Sequence, residues 1–381
     1  MNDNSALKKA KKEKIDIFFT LYETIEEEIN FYYCYNPEVF KNKTILCPCN
    51  DGANSNFTKF FVDNFKKFGL KKLIGVSYSD EKDTLENINN IELNSPFFNE
   101  EKHKKCGGLF ICENNEQIKF SGYLNSNGDF RSKEVTELRN ESDFIITNPP
   151  FSLFREFVAW IFEKDKKFII LGNQNSVTYK EIFPLIKENK IWYGASIHSG
   201  SVIFLMPGYL KTYSKKICIK KGQKYINLSF IRWFTNVKHG VARKKLNLYS
   251  MAHNLKFNKK LRKKLEKDYG RIEYPHYDNY NAIEVPFTIC IPSDYDGVMG
   301  VPVTFLDKYD PEQFELIKFR HGNDNKDLCV NGRCPYFRIL IQPKREATLN
   351  ENNTSCRVVH LNVKKVVELA LLTTVARKVA A

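Results

Sequence analysis

The chain has 381 residues, 42% hydrophobic and 14% aromatic, a composition that excludes an intrinsically disordered protein and is enough for one large α/β core with a smaller appended domain, or for two modest domains. With 59 Lys and Arg against 45 Asp and Glu, the net charge is +14, which favours a polyanionic partner, most simply nucleic acid. The opening MNDNSALKKAKKEKIDIFF has positive charges with no apolar stretch behind them, and no charge-free apolar run is long enough to span a bilayer. A cytoplasmic protein with mostly reduced thiols is therefore expected.

In chain order, TLYETIEEEINFYY places Leu21, Ile25 and Ile29 at helical spacing. KTILCPCN reads as a buried strand ending at Asn50, and SNFTKFFVDNFKKFGL as a helix stopped near Gly69. KKLIGVSY and KKCGGLFICE are further strands, and SDFIITN another. LFREFVAWIFEK is a helix, KKFIILGN a strand and YKEIFPLIKEN a helix. This alternation predicts an α/β fold with a doubly wound, mostly parallel sheet, in which ligands bind beyond the carboxyl ends of the strands. IWYGASIHSGSVIFLMP and KYINLSFIRWFTNV read as closing strands of the same domain.

From Lys211 to Arg271 there are 19 Lys and Arg and only two acids, Glu266 and Asp268. One-signed charge interleaved with aromatics favours phosphate contact over a solvated helix face. The later YPHYDNYNAIEV and IPSDYDGVMGVPVTFLDKYDPEQFEL read as ordered loops and short strands, and the tail over 346–381 carries no assignable role. Of the ten cysteines, Cys47 and Cys49 read as small buried hydrophobes. Cys106 with Cys112, and Cys329 with Cys334, lack the close pairs and histidines of zinc sites, so no metal is expected. His198, His239 and His276 are isolated and read as structural or phosphate-contacting, and Glu134 and Glu137 as a solvated helix start.

The chemistry is carried by Asn148, Pro149, Pro150 and Phe151, directly after the apolar strand DFIIT. Two prolines fix φ and remove two donors, so the strand stops there. An amide oxygen and a proline carbonyl held side by side can accept both hydrogens of an NH2 group on a planar molecule. They favour a more tetrahedral, nucleophilic nitrogen, while Phe151 offers a stacking face worth about 1–3 kcal/mol per base. Taken alone, the four residues fit a plain turn about as well.

Longer stretches decide between these readings. The chain resembles the S-adenosylmethionine-dependent DNA adenine-N6 methyltransferases, and specifically the EcoRI-type adenine-specific family. The likeness lies in IDIFFTLYETIEEEI, TILCPCNDGANSNFTKFF, NGDFRS, TNPPFSLF, RWFTNV, YDNYNAIEV and IPSDYDGVMGVPVTFL, and covers roughly residues 8–345. It implies a Rossmann-like methyltransferase sheet over 1–240, a smaller target-recognition region over 241–345, S-adenosyl-L-methionine as methyl donor, double-stranded DNA as partner, and a monomer. It further implies that Asn148, Pro149, Pro150 and Phe151 hold the target adenine. Phe19 and Thr20 would close over the methionine end of the cofactor, and Asn50 and Asp51 would bind its amino-acid or sugar portion. Ser77 and Tyr78 would lie near its ribose and adenine, with Asp129 accepting from the adenine amine beside Phe130. The loop CNDGANSNF lacks the Gly-x-Gly of many methyltransferases and keeps one glycine, Gly52; the EcoRI-type loop is itself unusual in this way. Taken alone, Asp51 could cap a helix and Asp129 an Asx turn. An rRNA or protein-glutamine methyltransferase sharing the Asn-Pro-Pro-Phe device, and a catalytically dead DNA-binding homologue, are the competing readings.

Overall fold

A computed structural model describes residues 18–344 apart from 51, 80–89, 115, 199–200, 207–216, 221 and 242–244. The chain divides after Lys344 into two units, and the second, with the tail expected over 346–381, lies outside the described residues. The strands are β1 (Phe19–Thr20), β2 (Thr44–Asn50), β3 (Lys72–Ser77), β4 (Gly108–Glu113), β5 (Lys119–Tyr123), β6 (Phe144–Thr147), β7 (Lys167–Asn173) and β8 (Trp192–Tyr193). They continue with β9 (Ser201–Leu205), β10 (Ile217–Lys220), β11 (Gln223–Ser229), β12 (Ile231–Thr235), β13 (Ile283–Glu284), β14 (Met299–Pro302), β15 (Phe314–Phe319) and β16 (Arg338–Pro343).

The largest sheet has the order β5-β4-β3-β2-β6-β7-β12-β8. Its centre, β3-β2-β6-β7, is parallel. These strands are buried on both sides, and alternate residues feed two cores. Leu46, Ile145 and Ile170 join Phe157, Val158 and Ile161 of the helix Phe154–Phe162. Ile45, Cys47, Ile146 and Ile169 join Ile25, Ile29 and Tyr32 of the helix Tyr22–Tyr35 and Phe57, Phe60 and Phe61 of the helix Asn56–Asp63. Near-continuous apolar runs are what a sheet covered by helices on both faces requires.

The expectation of a mostly parallel sheet is corrected at the flanks, because β4, β5, β12 and β8 all pair antiparallel. A parallel pairing needs a long crossover connection. β4 and β5 are instead joined by a short turn. The two segments expected to close this sheet are also divided. β8 and β12 belong to it, whereas β9 and β11 form a second sheet of order β1-β9-β11-β10.

The third sheet, β13-β14-β16-β15, lies beyond residue 280. Its Met299, Val301, Phe314, Ile339 and Ile341 share one continuous core with Phe157, Ile182 and Phe183, so the apolar interior runs unbroken past residue 240. Between β12 and β13 in the chain, the helix Lys259–Tyr269 is capped by Asn258, whose side chain accepts from Leu261 N at 3.0 Å. It buries Leu261 and Leu265 and exposes Lys259, Lys260, Arg262, Lys263 and Lys267. Cys329 and Cys334 are joined as a disulfide, one departure from the reduced thiols expected; the other described cysteines are free. Among the described residues no metal-binding cluster occurs, and no helix is long and apolar enough to cross a membrane.

Candidate active site

Parallel strands share an orientation, so β2, β3, β6 and β7 end on one edge of the large sheet, at Asn50, Ser77, Thr147 and Asn173. The tip of β6 is held there from below: the Thr147 hydroxyl donates to the Pro48 carbonyl of β2. Asn148 follows, 9% exposed, and its Nδ2 donates to the Phe18 carbonyl at 2.9 Å. That bond orients the amide and turns Oδ1 the other way. Among the described residues, Oδ1 is buried and has no hydrogen-bond partner. An unsatisfied buried acceptor costs about 1–3 kcal/mol, so its retention points to a donor that arrives with a ligand. Pro149 is buried beside it, Pro150 is half-buried, and Phe151 opens a single 3-10 turn with its half-buried ring against the core that also holds Ile25 and Phe57.

Phe18, Phe19 and Thr20 form a strap across this edge. Phe19 and Thr20 pair antiparallel with Leu205 and Phe204 of β9. Asn56 Nδ2, at the start of the helix that follows the loop after β2, donates to the Thr20 carbonyl at 2.8 Å. The Thr20 hydroxyl is buried and, among the described residues, unpartnered. Helix Tyr22–Tyr35 anchors the strap further on: the fully buried Glu28 accepts from Tyr32 OH, Ala195 N, Ser196 N and Ser196 Oγ at 2.6–2.9 Å. Burial pushes its carboxyl above the usual range, against the pull of those donors.

A second loop completes the edge. Ser77 Oγ accepts from Gly108 N at 2.7 Å and so fastens β4 to β3, while Tyr78 is exposed just beyond. Gly128, at φ +84°, lies so close to the Ser77 carbonyl that a Cβ would come within 2.1 Å of it. Only glycine permits that approach, and it brings Asp129 to the strand ends. Both oxygens of Asp129 are engaged: Oδ1 accepts from Arg131 N and Nε at 2.8 and 2.9 Å, and Oδ2 from Nη2 at 2.7 Å. Arg131 thereby holds the Asp129 carboxyl below the usual range. Burial pushes the Cys49 thiol up, and the Asp129 charge adds to this.

The predicted residues thus divide. Asn148, Pro149, Pro150, Phe151, Phe19, Thr20, Ser77, Tyr78 and Asp129 come to one edge. Phe130 is 2% exposed and its ring meets Phe157 and Trp160 at 4.9 and 5.5 Å, so it belongs to the core beneath. Asp51 and the side chain of Asn50 lie outside the described residues. Sequence reasoning missed the Phe18 carbonyl, Asn56, Glu28 and Arg131. It also took Glu134 for a solvated residue, whereas that carboxylate accepts from Asn125 N and Ser126 N at 2.9 Å and pins the loop leading to Asp129.

The buried Thr20 hydroxyl and Asn148 amide oxygen, without a hydrogen-bond partner among the described residues, suit a polar ligand seated between strap and strand tips. A family model described as adenine-specific methyltransferase EcoRI matches residues 6–362. The type II methyltransferase M.EcoRI of Escherichia coli is 44% identical over 344 residues, 90% of this chain and 97% of that protein. M.MpnI of Mycoplasma pneumoniae is 36% identical over 359 residues, covering 88% and 98%. M.MgeORF184P of Mycoplasma genitalium is 33% identical over 356 residues, with the same coverage. No solved structure matches at a significant level. The chain belongs to the EcoRI family of adenine-specific methyltransferases.

Proposed function

We propose that this protein is a site-specific DNA methyltransferase that transfers a methyl group from S-adenosyl-L-methionine to N6 of an adenine flipped out of duplex DNA, as protective modification in a restriction-modification or phage setting. The observation that carries this reading is the Asn148 amide, with Nδ2 committed to Phe18 and Oδ1 buried at the tip of β6 without a partner among the described residues.

Bound S-adenosyl-L-methionine supplies an electrophilic methyl group on a sulfonium. Thr20 and Phe19 of the strap, the Asn50–Gly52 turn, Ser77 and Tyr78, and Asp129 would hold it along the Rossmann-like edge. The chain's own contribution is orientation. Asn148 Oδ1 and the Pro149 carbonyl accept the two N6 hydrogens, which withdraws the nitrogen lone pair from the ring and aims it along the attack line. Phe151 holds the ring by stacking. As N6 bonds to the methyl carbon, the carbon–sulfur bond would break with its electron pair going to sulfur, leaving neutral S-adenosylhomocysteine, and one N6 proton would leave on the acceptor side to solvent. Holding both partners in an attack geometry is worth several powers of ten in rate without a metal or covalent intermediate.

Flipping costs a few kcal/mol, which DNA binding must offset. The exposed Lys259, Lys260, Arg262, Lys263 and Lys267 support phosphate contact by the region following residue 240, and we assign sequence reading to residues 241–345 and catalysis to 1–240. Expression in a host lacking adenine methylation, with modified bases mapped across its DNA, should find N6-methyladenine at one short sequence. Methyl transfer to rRNA with none to duplex DNA would overturn the reading.

A further inference from the structure

We propose that Asn56 is a positioning residue that couples the cofactor loop to the catalytic amide through the strap Phe18–Thr20. This rests on the functional reading above and extends it to a residue outside the motif.

The chain of contacts is short and made mostly of backbone. The cofactor loop leads through the 3-10 turn Gly52–Asn54 into the helix Asn56–Asp63, capped by Ser55, whose side chain accepts from Phe57 N at 3.2 Å. Asn56 is the first residue of that helix. Its Nδ2 reaches 36 residues back to the Thr20 carbonyl at 2.8 Å. Two residues before Thr20, the Phe18 carbonyl accepts from Asn148 Nδ2, 130 residues on, at 2.9 Å. The position of Phe18 therefore decides where Asn148 Oδ1 points.

β1 is too short to fix that position alone, because its pairing with β9 spans two residues. The one described side-chain hydrogen bond to its backbone on the other side is Asn56, so the strap is held between β9 and the cofactor-loop helix. Asn56 thereby sets the position of the strap and, through it, that of the Phe18 carbonyl on which the Asn148 amide is oriented. Local helix capping does not explain Asn56, since Ser55 fills that role and the Asn56 amide points to another element.

The test compares the parent with Asn56→Asp and Asn56→Ala as full-length protein. It measures single-turnover methyl transfer to a duplex containing the target adenine, S-adenosylhomocysteine affinity by calorimetry, and the melting temperature. Asn56→Asp is isosteric but presents an acceptor to the Thr20 carbonyl. Its single-turnover rate at pH 8 should fall by about 10- to 100-fold, the size of effect that a misplacement of about 1 Å produces. Affinity for S-adenosylhomocysteine should stay within about threefold and melting within about two degrees. A protonated aspartic acid can donate again, so the Asn56→Asp rate relative to the parent should climb as pH falls from about 8 to about 5.5, while Asn56→Ala stays flat. A variant rate equal to the parent's, a loss that appears only in affinity, or parallel pH profiles for the two variants would overturn the proposal. A parent that methylates no adenine in duplex DNA would instead overturn the functional reading on which it rests.

Discussion

The sheet edge around Asn148 and the sheet β13-β14-β16-β15 both bury polar side chains, but they treat them in opposite ways. In the C-terminal sheet Glu284 is fully buried, and each of its oxygens is engaged. Oε1 accepts from Arg338 Nη2 at 2.7 Å, and Oε2 accepts from Arg338 Nε at 2.9 Å and from the Tyr277 hydroxyl. Arg338 Nη1 donates to the Tyr336 carbonyl at 2.6 Å. At the strand tips Thr20 Oγ1 and Asn148 Oδ1 are equally buried, and no described residue pairs with them. A closed network specifies one geometry for the framework, while an open one is a receptor. The contrast separates residues whose loss should unfold the protein from residues whose loss should silence it.

The largest effect should come from breaking the closed network. Arg338→Met leaves the Glu284 charge buried without its partner and should cost about 3–5 kcal/mol in urea unfolding at pH 7. Pairing it with Glu284→Leu should recover most of that, since two apolar groups need no partners. A single-variant loss below about 1 kcal/mol would mean that water reaches the pair, and the comparison would fail on that side.

Asn148→Ala tests the open side. Transfer should fall by at least about 10²- to 10³-fold, the range seen when one oriented electrostatic group is removed from a reacting centre. Melting should be unchanged or slightly raised, because an unsatisfied acceptor disappears with the amide. DNA affinity in a gel-shift assay should stay within a few-fold. Unchanged turnover would remove Asn148 from the mechanism.

Much of this contrast can be read from residue order, and the unread part has a physical character. Continuous apolar runs such as Phe144–Ile145–Ile146 reveal buried parallel strands, and two prolines reveal where one stops. Antiparallel flanks leave a weaker trace, because a short connection before β5 only looks like a turn. The hydrogen bonds that orient the site end on backbone carbonyls of Phe18 and Thr20, and a carbonyl has no residue code. The neighbours Asp129 and Phe130 mark the same limit. Residue order brings both to the strand ends, but only the packing of Phe157 and Trp160 decides that the ring turns inward.

A third kind of surface is neither closed nor buried. Lys259, Lys260 and Lys263 project from the amphipathic helix Lys259–Tyr269 with no ion-pair partner among the described residues, whereas Lys264 pairs with Asp268 at 2.5 Å. Replacing the three by alanine should weaken duplex binding and lower the slope of log affinity against log salt by about 0.9 for each phosphate that is no longer neutralised. Melting should stay put, since exposed cations contribute little to stability. An unchanged slope would place the DNA elsewhere on the protein.

Asp129 stands between the two classes, at the receptor edge yet already partnered, and it offers the finest test. Arg131 holds its carboxyl below the usual range, and its side chain is 22% exposed. A carboxyl depressed in the folded state adds stability that is complete above the unfolded value of about 3.9 and is lost as pH falls through the folded value. Parent and Asp129→Asn should therefore differ by about 0.2–1 kcal/mol in urea unfolding at pH 7, as a partly exposed pair does, and the gap should close in acid as pH falls through the depressed folded value. If Asp129 accepts from the ligand's adenine amine as proposed, saturating S-adenosylhomocysteine should widen the gap at pH 7. A gap that ignores ligand would make Asp129 a framework residue and move the edge of the receptor back to the strand tips.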